Sequence, residues 1–402
     1  MKIAFLTPRF PFPPDRGDRL TVYHLLRVLS ERHAVTLFSF VDGSEPPEAF
    51  ERVRPLCRAV VTVRLPRWRS WLQAWMRVAS PIPSQVAYYA SARMRAALRE
   101  RLSREPYDAI FCHTIRLASY VADLPHPAKI LWIGDSLGMA LGRGSRFAPR
   151  WRRPGMRWER HRLDRFTARA SRDYADVWAI SEDDRNDLLR IGCPYVTLVT
   201  HGVDERLFEL SRPPLPPPRA VFLGNLSVPH NVDAARHAAI DVWPGVRREI
   251  PTAELWLAGV AAVAAVRSLA DRPGVRVVGA VPDLRSLWSS VALLLAPLRF
   301  STGIQNKILE AMAAGVPVVT TPTAAAALGA GHGVHVLTAE TPSALAAAVV
   351  DVLQNPAPAA ARAERARALV RRQFRWESAV ERLEAVVERA AGAAEPAPGR
   401  LA

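Results

Sequence analysis

Arg212-Pro213-Pro214-Leu215-Pro216-Pro217-Pro218 interrupts a chain of 402 residues just past its middle. Five prolines in seven residues fit neither a helix nor a central strand, because each lacks an amide donor and crowds the preceding turn. The stretch reads as a stiff, extended connector, and the pattern on its two sides is the same. Before it, apolar runs at 2–6, 34–40, 59–63, 108–112, 129–133, 176–180 and 196–199 alternate with amphipathic stretches such as 19–30, 92–102 and 183–191. After it, runs at 220–223, 254–258, 275–279, 292–296 and 316–320 alternate with helical patterns that begin near Val232, Asp283 and Ile304. Apolar strands with no polar face, separated by helices, imply parallel sheets covered on both sides. The expected fold is therefore α/β with two doubly wound domains, 1–205 and 219–375, joined by a proline-rich linker over 206–218. A helix over 376–390 carries i,i+4 charge pairs. The Ala-, Pro- and Gly-rich tail over 391–402 is expected to fray.

The bulk composition agrees with two packed cores. Hydrophobic residues make up 49% of the chain, with 11 Trp and 13 Phe, which excludes wholesale disorder. The net charge of +16 suits an anionic partner, although arginine used in place of lysine on solvated faces gives the same balance. Cys57, Cys112 and Cys193 are scattered, without a C-x-x-C, which argues for a reducing compartment and against structural zinc. The longest apolar stretch, 255–266, is too short to span a bilayer. A strand-like run begins at Lys2, so no signal peptide is expected and the predicted location is cytoplasmic.

The chemistry is expected where strand ends meet helix starts. The informative segment runs Ala296-Pro297-Leu298-Arg299-Phe300-Ser301-Thr302-Gly303-Ile304-Gln305-Asn306-Lys307-Ile308-Leu309-Glu310. An apolar strand ends at Pro297, Gly303 opens a turn, and a helix follows whose free first-turn amides form a ready anion site. Lys307 and Glu310 are three apart and share one helix face. An ammonium there suits a diphosphate, and a carboxylate one turn deeper suits two ribose hydroxyls. The same spacing also describes an exposed ion pair that stabilises a helix by only about 0.2–0.5 kcal/mol.

With its continuation Glu310-Ala311-Met312-Ala313-Ala314-Gly315-Val316-Pro317-Val318-Val319, the segment resembles the donor-site signature of retaining glycosyltransferases of family 4. Those enzymes have the GT-B architecture, two Rossmann-like domains facing across a cleft. The first glutamate of that signature falls on Thr302, which can hydrogen-bond a sugar but brings no charge. Gly303-Ile304-Gln305-Asn306-Lys307 is similar to a subgroup tied to exopolysaccharide and PEP-CTERM systems. Pro13-Pro14-Asp15-Arg16-Gly17-Asp18-Arg19 stands where the family has its first glycine-rich turn. Ile133-Gly134-Asp135-Ser136-Leu137, Ile180-Ser181-Glu182 and His201-Gly202-Val203-Asp204 resemble later family blocks.

The resemblance implies catalytic roles for Lys307, Glu310, His113 and Thr302. It also implies donor contacts from Gly17, Asn225, Gly303, Ile304, Gln305 and Asn306. Val281 and Asp283 fall where relatives hold the base, mostly through backbone, and Asp283 also suits a helix N-cap. His113 closes an apolar strand; a loop histidine without a role is the alternative. Two basic diphosphate contacts of the family fall on Asn225 and His230, so charge balance assigns the missing positive charge to Lys307 together with Arg16 or Arg19. No D-x-D follows a strand, and Asp183-Asp184 sits at a helix start, where acids favour the dipole. No metal and no cofactor are expected beyond a nucleotide-diphosphate sugar as donor substrate.

Two further segments mix arginine with tryptophan: 64–77, with Trp68, Trp71 and Trp75, and 143–172, with Trp151 and Trp158. Such stretches suit an anionic headgroup layer, which would place the chain peripherally on the inner face of a plasma membrane. The alternative is two ordinary helices with tryptophan inward and arginine outward. Nucleic-acid signatures are lacking, and no nucleic-acid partner is expected. The reading is a metal-independent retaining hexosyltransferase of bacterial exopolysaccharide or cell-surface polysaccharide synthesis, with a glycan or lipid-linked acceptor. Its rivals are a sugar-nucleotide epimerase of the same fold and a degenerate donor-binding scaffold.

Overall fold

The computed structural model describes residues 1–14, 17–146, 148–211, 218–300 and 303–394, the side chains of 392–394 excepted. Arg16, Thr302 and most of the proline-rich connector lie outside the described residues. The chain divides into two compact units, one of residues 1–202 and 376–402 and the other of residues 203–375.

The first unit is built on seven strands: β1 (Lys2–Thr7), β2 (Ala34–Val41), β3 (Ala59–Arg64), β4 (Ala109–His113), β5 (Lys129–Gly134), β6 (Asp176–Ala179) and β7 (Thr197–Leu198). They lie in the order β3-β2-β1-β4-β5-β6-β7, with neighbours parallel. Every residue of β4 is buried, which is why its sequence shows no polar alternation. Phe111 of β4 stacks on Phe5 at 4.7 Å and meets the edge of Trp178 at 5.3 Å. Each such pair adds roughly 0.5–1.5 kcal/mol beyond area burial. Strand order reverses between β1 and β4, and such a switch point opens a crevice at the carboxyl ends of the strands.

The helix Glu377–Ala394 belongs to this unit. Arg382 pairs with Asp176 at 2.7 Å and donates to Thr197 at 2.9 Å. Just before the helix, the Trp376 ring lies between His24 and His201, with centroids 5.4 and 5.7 Å away. The helix continues to Ala394, into the segment expected to fray.

The second unit carries β8 (Arg219–Leu223), β9 (Glu254–Ala258), β10 (Val275–Gly279), β11 (Leu293–Ala296), β12 (Val318–Thr320) and β13 (Leu337–Thr338). Their order is β10-β9-β8-β11-β12-β13, again parallel, with the reversal between β8 and β11. At the ends of β8 and β9 two backbones touch. Gly259 has φ +133°, and a Cβ there would fall 1.8 Å from the Gly224 carbonyl oxygen. Only glycine satisfies both the conformation and the space. Among the described residues no helix is long and apolar enough to cross a membrane.

Candidate active site

In the second unit the segment after β11 leads to the helix Asn306–Ala313. That helix begins two residues later than the sequence pattern suggests, because Gly303 at φ +64° and the extended Gln305 lie in the turn. Gly315, at φ +67°, ends it: the Val316 amide reaches back to the Ala311 carbonyl at 2.8 Å, a C-terminal closure that needs the left-handed conformation. Lys307 therefore stands in the first turn and Glu310 one turn deeper.

Both side chains are buried, at 8% and 9% exposure, so the exposed surface pair is not what forms. The Lys307 ammonium donates to the Asn231 carboxamide oxygen at 2.7 Å and lies 3.4 Å from the Gln305 oxygen. It also sits 5.3 Å from the centroid of the Phe222 ring, close enough for a cation–π contact. Its partners are thus neutral. Burial pushes its pKa down to about 8, with Glu310 opposing. Glu310 has no hydrogen-bond or ion-pair partner within bonding distance among the described residues. Burial pushes its carboxyl up to about 8, against the pull of Lys307 and with Asp204 adding to the rise. Near neutral pH the site holds an ammonium beside a largely protonated carboxyl, ready for an anion and for hydroxyl groups.

Asn231 is itself fixed. Its amide nitrogen donates to the Asn225 carbonyl at 3.1 Å, and a Cβ on Gly224 would fall 2.9 Å from it. The Asn225 side chain accepts from the Ser227 amide at 3.1 Å and hydroxyl at 2.7 Å, so it shapes the turn into the helix Pro229–His237. His230 stands edge-on to Phe300 at 6.5 Å, and burial, then Lys307, lowers its pKa to about 4. It is neutral at physiological pH, which leaves the charge of this loop to Lys307. Arg299 is paired with Asp233 through two hydrogen bonds. Asn231 and Phe222 escaped the sequence reading. The one available signal is that Asn231 falls in the first turn of the helix that follows Gly224 at the end of β8.

The remaining predicted donor residues take varied positions. Ile304 and Gln305 are buried, and Asn306 is half-buried at the helix start. Val281 is half-buried in the loop after β10. Asp283 is exposed and caps the helix Leu284–Ser289, accepting from the Arg285 and Ser286 amides at 3.0 and 3.1 Å.

In the first unit His113 closes β4 at the switch point. Its Nδ1 lies 3.4 Å from the Thr7 hydroxyl at the end of β1. Burial pushes its pKa down to about 4, with Asp18 opposing, so it serves as a neutral hydrogen-bonding group. Thr114 follows at φ +74°, a conformation that a β-branched residue adopts only at a cost. Burial works to raise the Asp18 carboxyl, yet Arg9 and then Arg116 hold it below the ordinary value. Gly17 is the exposed first residue of the helix Gly17–Arg32, and Arg19 is half-buried in its first turn.

The two Arg/Trp segments meet on this unit. The helix Arg67–Met76 turns outward Trp68, Trp71 and Trp75, which are 64%, 68% and 74% exposed, and Trp151 is 75% exposed. The inward-facing alternative for these tryptophans is therefore not realised. Buried Arg162 joins the segments: its guanidinium donates to the carbonyls of Arg77, Val78, Ser80 and Ile82 at 2.8–3.1 Å and pairs with Glu159. Trp158 adds a hydrogen bond to the Val78 carbonyl at 3.2 Å.

Residues 217–355 match the family described as Glycosyl transferases group 1. Among solved structures the chain is similar to sucrose-phosphate synthase from Thermosynechococcus elongatus, at 17% identity and TM-score 0.71 over 98% of this chain and 100% of that one. It is also similar to HepE from Anabaena in complex with UDP and glucose, at 16% identity and TM-score 0.67 over 98% and 99%. A TarM variant from S. aureus, in complex with Fondaparinux, alpha-GlcNAc-glycerol and UDP, matches at 9% identity and TM-score 0.68 over 96% and 99%. No curated protein matches by sequence. The likeness establishes the GT-B fold, two parallel-sheet Rossmann-like domains.

Proposed function

We propose, from the Glycosyl transferases group 1 domain over residues 217–355, that this chain is a retaining glycosyltransferase of the family 4 type. The observation that carries the reading is the buried Lys307 ammonium, held among the described residues by neutral groups, one helical turn from a buried Glu310 that has no bonding partner among those residues. A cation without a counterion in a low-dielectric site favours a diphosphate, and the first-turn helix amides reinforce it.

In this reading the donor is a nucleotide-diphosphate sugar, and UDP-glucose, present in one HepE structure, is the first probe. The bond from the anomeric carbon to the diphosphate oxygen breaks while the acceptor hydroxyl oxygen bonds to the same face. The hydroxyl proton leaves with the diphosphate. Lys307 stabilises the negative charge that develops on the leaving oxygen, and Glu310 accepts hydrogen bonds from the ribose hydroxyls. His113, neutral at the first unit's switch point, fits a hydrogen bond to a sugar hydroxyl. Hexosyl transfer to a glycan or lipid-linked acceptor, without a metal and in the service of exopolysaccharide or cell-surface polysaccharide synthesis, completes the proposal.

The outward tryptophans among arginines support a peripheral seat on an anionic membrane. The function is tested by a thermal-shift screen of nucleotide sugars. A ligand at a hundred times its Kd stabilises by about 2.7 kcal/mol, which is easily seen. A panel without a single shift would refute the donor site.

A further inference from the structure

The first unit contains a cavity of about 510 Å³ at the carboxyl ends of β1 to β3. Its lining combines arginines with a graded aromatic wall. Phe40 lies 5.9 Å from Tyr89, Tyr89 lies 5.0 Å from Tyr88, and Tyr88 meets Trp71 edge-on at 5.6 Å. Phe40 and Tyr89 are buried, Tyr88 is half-buried and Trp71 is exposed. The wall therefore climbs from the core to the outer face of the helix Arg67–Met76, where Trp68, Leu72, Trp75 and Met76 are also exposed.

The charges in the cavity are unevenly matched. Arg9 pairs with Asp18, and Arg67 pairs with Asp42 at 2.9 Å. Glu45 accepts from the Asp42 and Gly43 amides at 3.0 and 2.9 Å. Arg116 differs: its guanidinium donates to the Gln85 amide oxygen at 2.9 Å, and it has no carboxylate at ion-pair distance among the described residues. Like buried Lys307, half-buried Arg116 is a cation whose hydrogen bond goes to a neutral amide. Ionised Asp18 acts on Arg116 from beyond ion-pair distance but is already paired with Arg9, and burial pushes nearby Asp135 up to about 8, so neither carboxyl is a dedicated counterion for Arg116.

We infer that this cavity binds an amphiphile, a lipid phosphate or diphosphate, with its anionic head on Arg116 and its apolar chain leaving across Tyr88 and Trp71. A monosaccharide could stack on one ring of the aromatic ramp but not run its length from Phe40 to Trp71, and a neutral lipid would leave the guanidinium without an anion of its own. Planar guanidinium donors match phosphate oxygens two at a time, while the exposed tryptophans carry the chain toward a bilayer. The role of this ligand as sugar acceptor rests on the glycosyltransferase reading; its binding does not.

The test titrates the full chain with farnesyl phosphate, farnesol and inorganic phosphate, following tryptophan fluorescence, and titrates the same samples with UDP. Farnesyl phosphate is expected to bind at least tenfold more tightly than either fragment. Arg116→Gln should lose at least tenfold, and Arg116→Lys should recover part of it. Trp71→Ala should weaken farnesyl phosphate while leaving inorganic phosphate unchanged. Circular dichroism melts establish that each variant is folded. Equal affinity for farnesol and farnesyl phosphate, or a folded Arg116→Gln that binds as wild type does, overturns the assignment. Binding lost in Lys307→Ala and kept in Arg116→Gln also overturns it, by placing the ligand on the second unit. If farnesyl phosphate binds as stated and UDP does not, the transferase reading falls and the lipid-phosphate site stands.

Discussion

Lys307 donates to the side-chain oxygen of Asn231 at 2.7 Å, so a buried ammonium is held by an amide where a carboxylate would have been the stronger partner. A carboxylate would neutralise it and leave nothing for an anionic ligand. Asn231→Asp is expected to raise the Kd for UDP at least tenfold, about 1.4 kcal/mol. Asn231→Ala removes the same hydrogen bond but keeps the site's charge, and should bind UDP better than Asn231→Asp does. Calorimetric titration of both variants at neutral pH checks the order; the reverse order would mean that Asn231 acts through packing.

The pH dependence of stability follows from the same pair. Burial moves Glu310 from 4.5 up to about 8, so between those values the folded state keeps a proton that the unfolded chain has lost. Stability therefore falls as pH rises through this window. Lys307 moves from 10.5 down to about 8; above that value the unfolded chain holds the extra proton, and stability returns as pH rises toward 10.5. Glu310→Gln abolishes the first effect. Its stability relative to wild type should grow between roughly pH 5 and pH 7, by at most about 1.4 kcal/mol per unit. Urea denaturation at several pH values measures this, and a flat difference would mean that Glu310 is not held protonated.

Metal removal is expected to leave transfer or donor hydrolysis intact, since fixed positive groups stabilise the leaving diphosphate in this mechanism. Assays with and without EDTA decide the matter. Activity lost on chelation and restored by magnesium or manganese would count against Lys307 as the main source of charge.

The outward tryptophans carry a prediction of their own. Wild-type protein should co-sediment with anionic vesicles at low salt and dissociate as salt rises. Replacing Trp68, Trp71 and Trp75 together by alanine should weaken this binding at a small cost to the melting temperature, because these side chains are mostly in solvent and the edge contact of Trp71 with Tyr88 is the main packing lost. Equal recovery on neutral and anionic vesicles would contradict the electrostatic part.

Much of the fold was legible because both sheets are parallel and covered, so strands such as β4 announce themselves as unbroken apolar runs. The spacing of Lys307 and Glu310 was legible too, but not their burial. Helical periodicity assigns charged residues outward, and only contact with Asn231, 76 residues away in sequence, shows otherwise. The tryptophans illustrate the same limit in reverse, since composition does not say which helix face is covered. Arg116, in the short turn Ile115–Tyr120, belongs to no periodic pattern, and Tyr88 and Tyr89 are aligned by packing alone. Thr302 and Arg16, which the family resemblance singled out, lie outside the described residues.

The central assignment is the diphosphate on Lys307, and its most direct measurement is calorimetric titration of wild type and Lys307→Ala with UDP and UMP. Loss of a charge-stabilised hydrogen bond of this kind is on the scale of about 1.5–3 kcal/mol, roughly tenfold to a hundredfold in Kd. Wild type should bind UDP more tightly than UMP, and Lys307→Ala should lose most of that difference while keeping its fold. Lys307→Arg should recover part of it, since charge is retained while reach changes. A folded Lys307→Ala that binds UDP as wild type does would contradict the assignment.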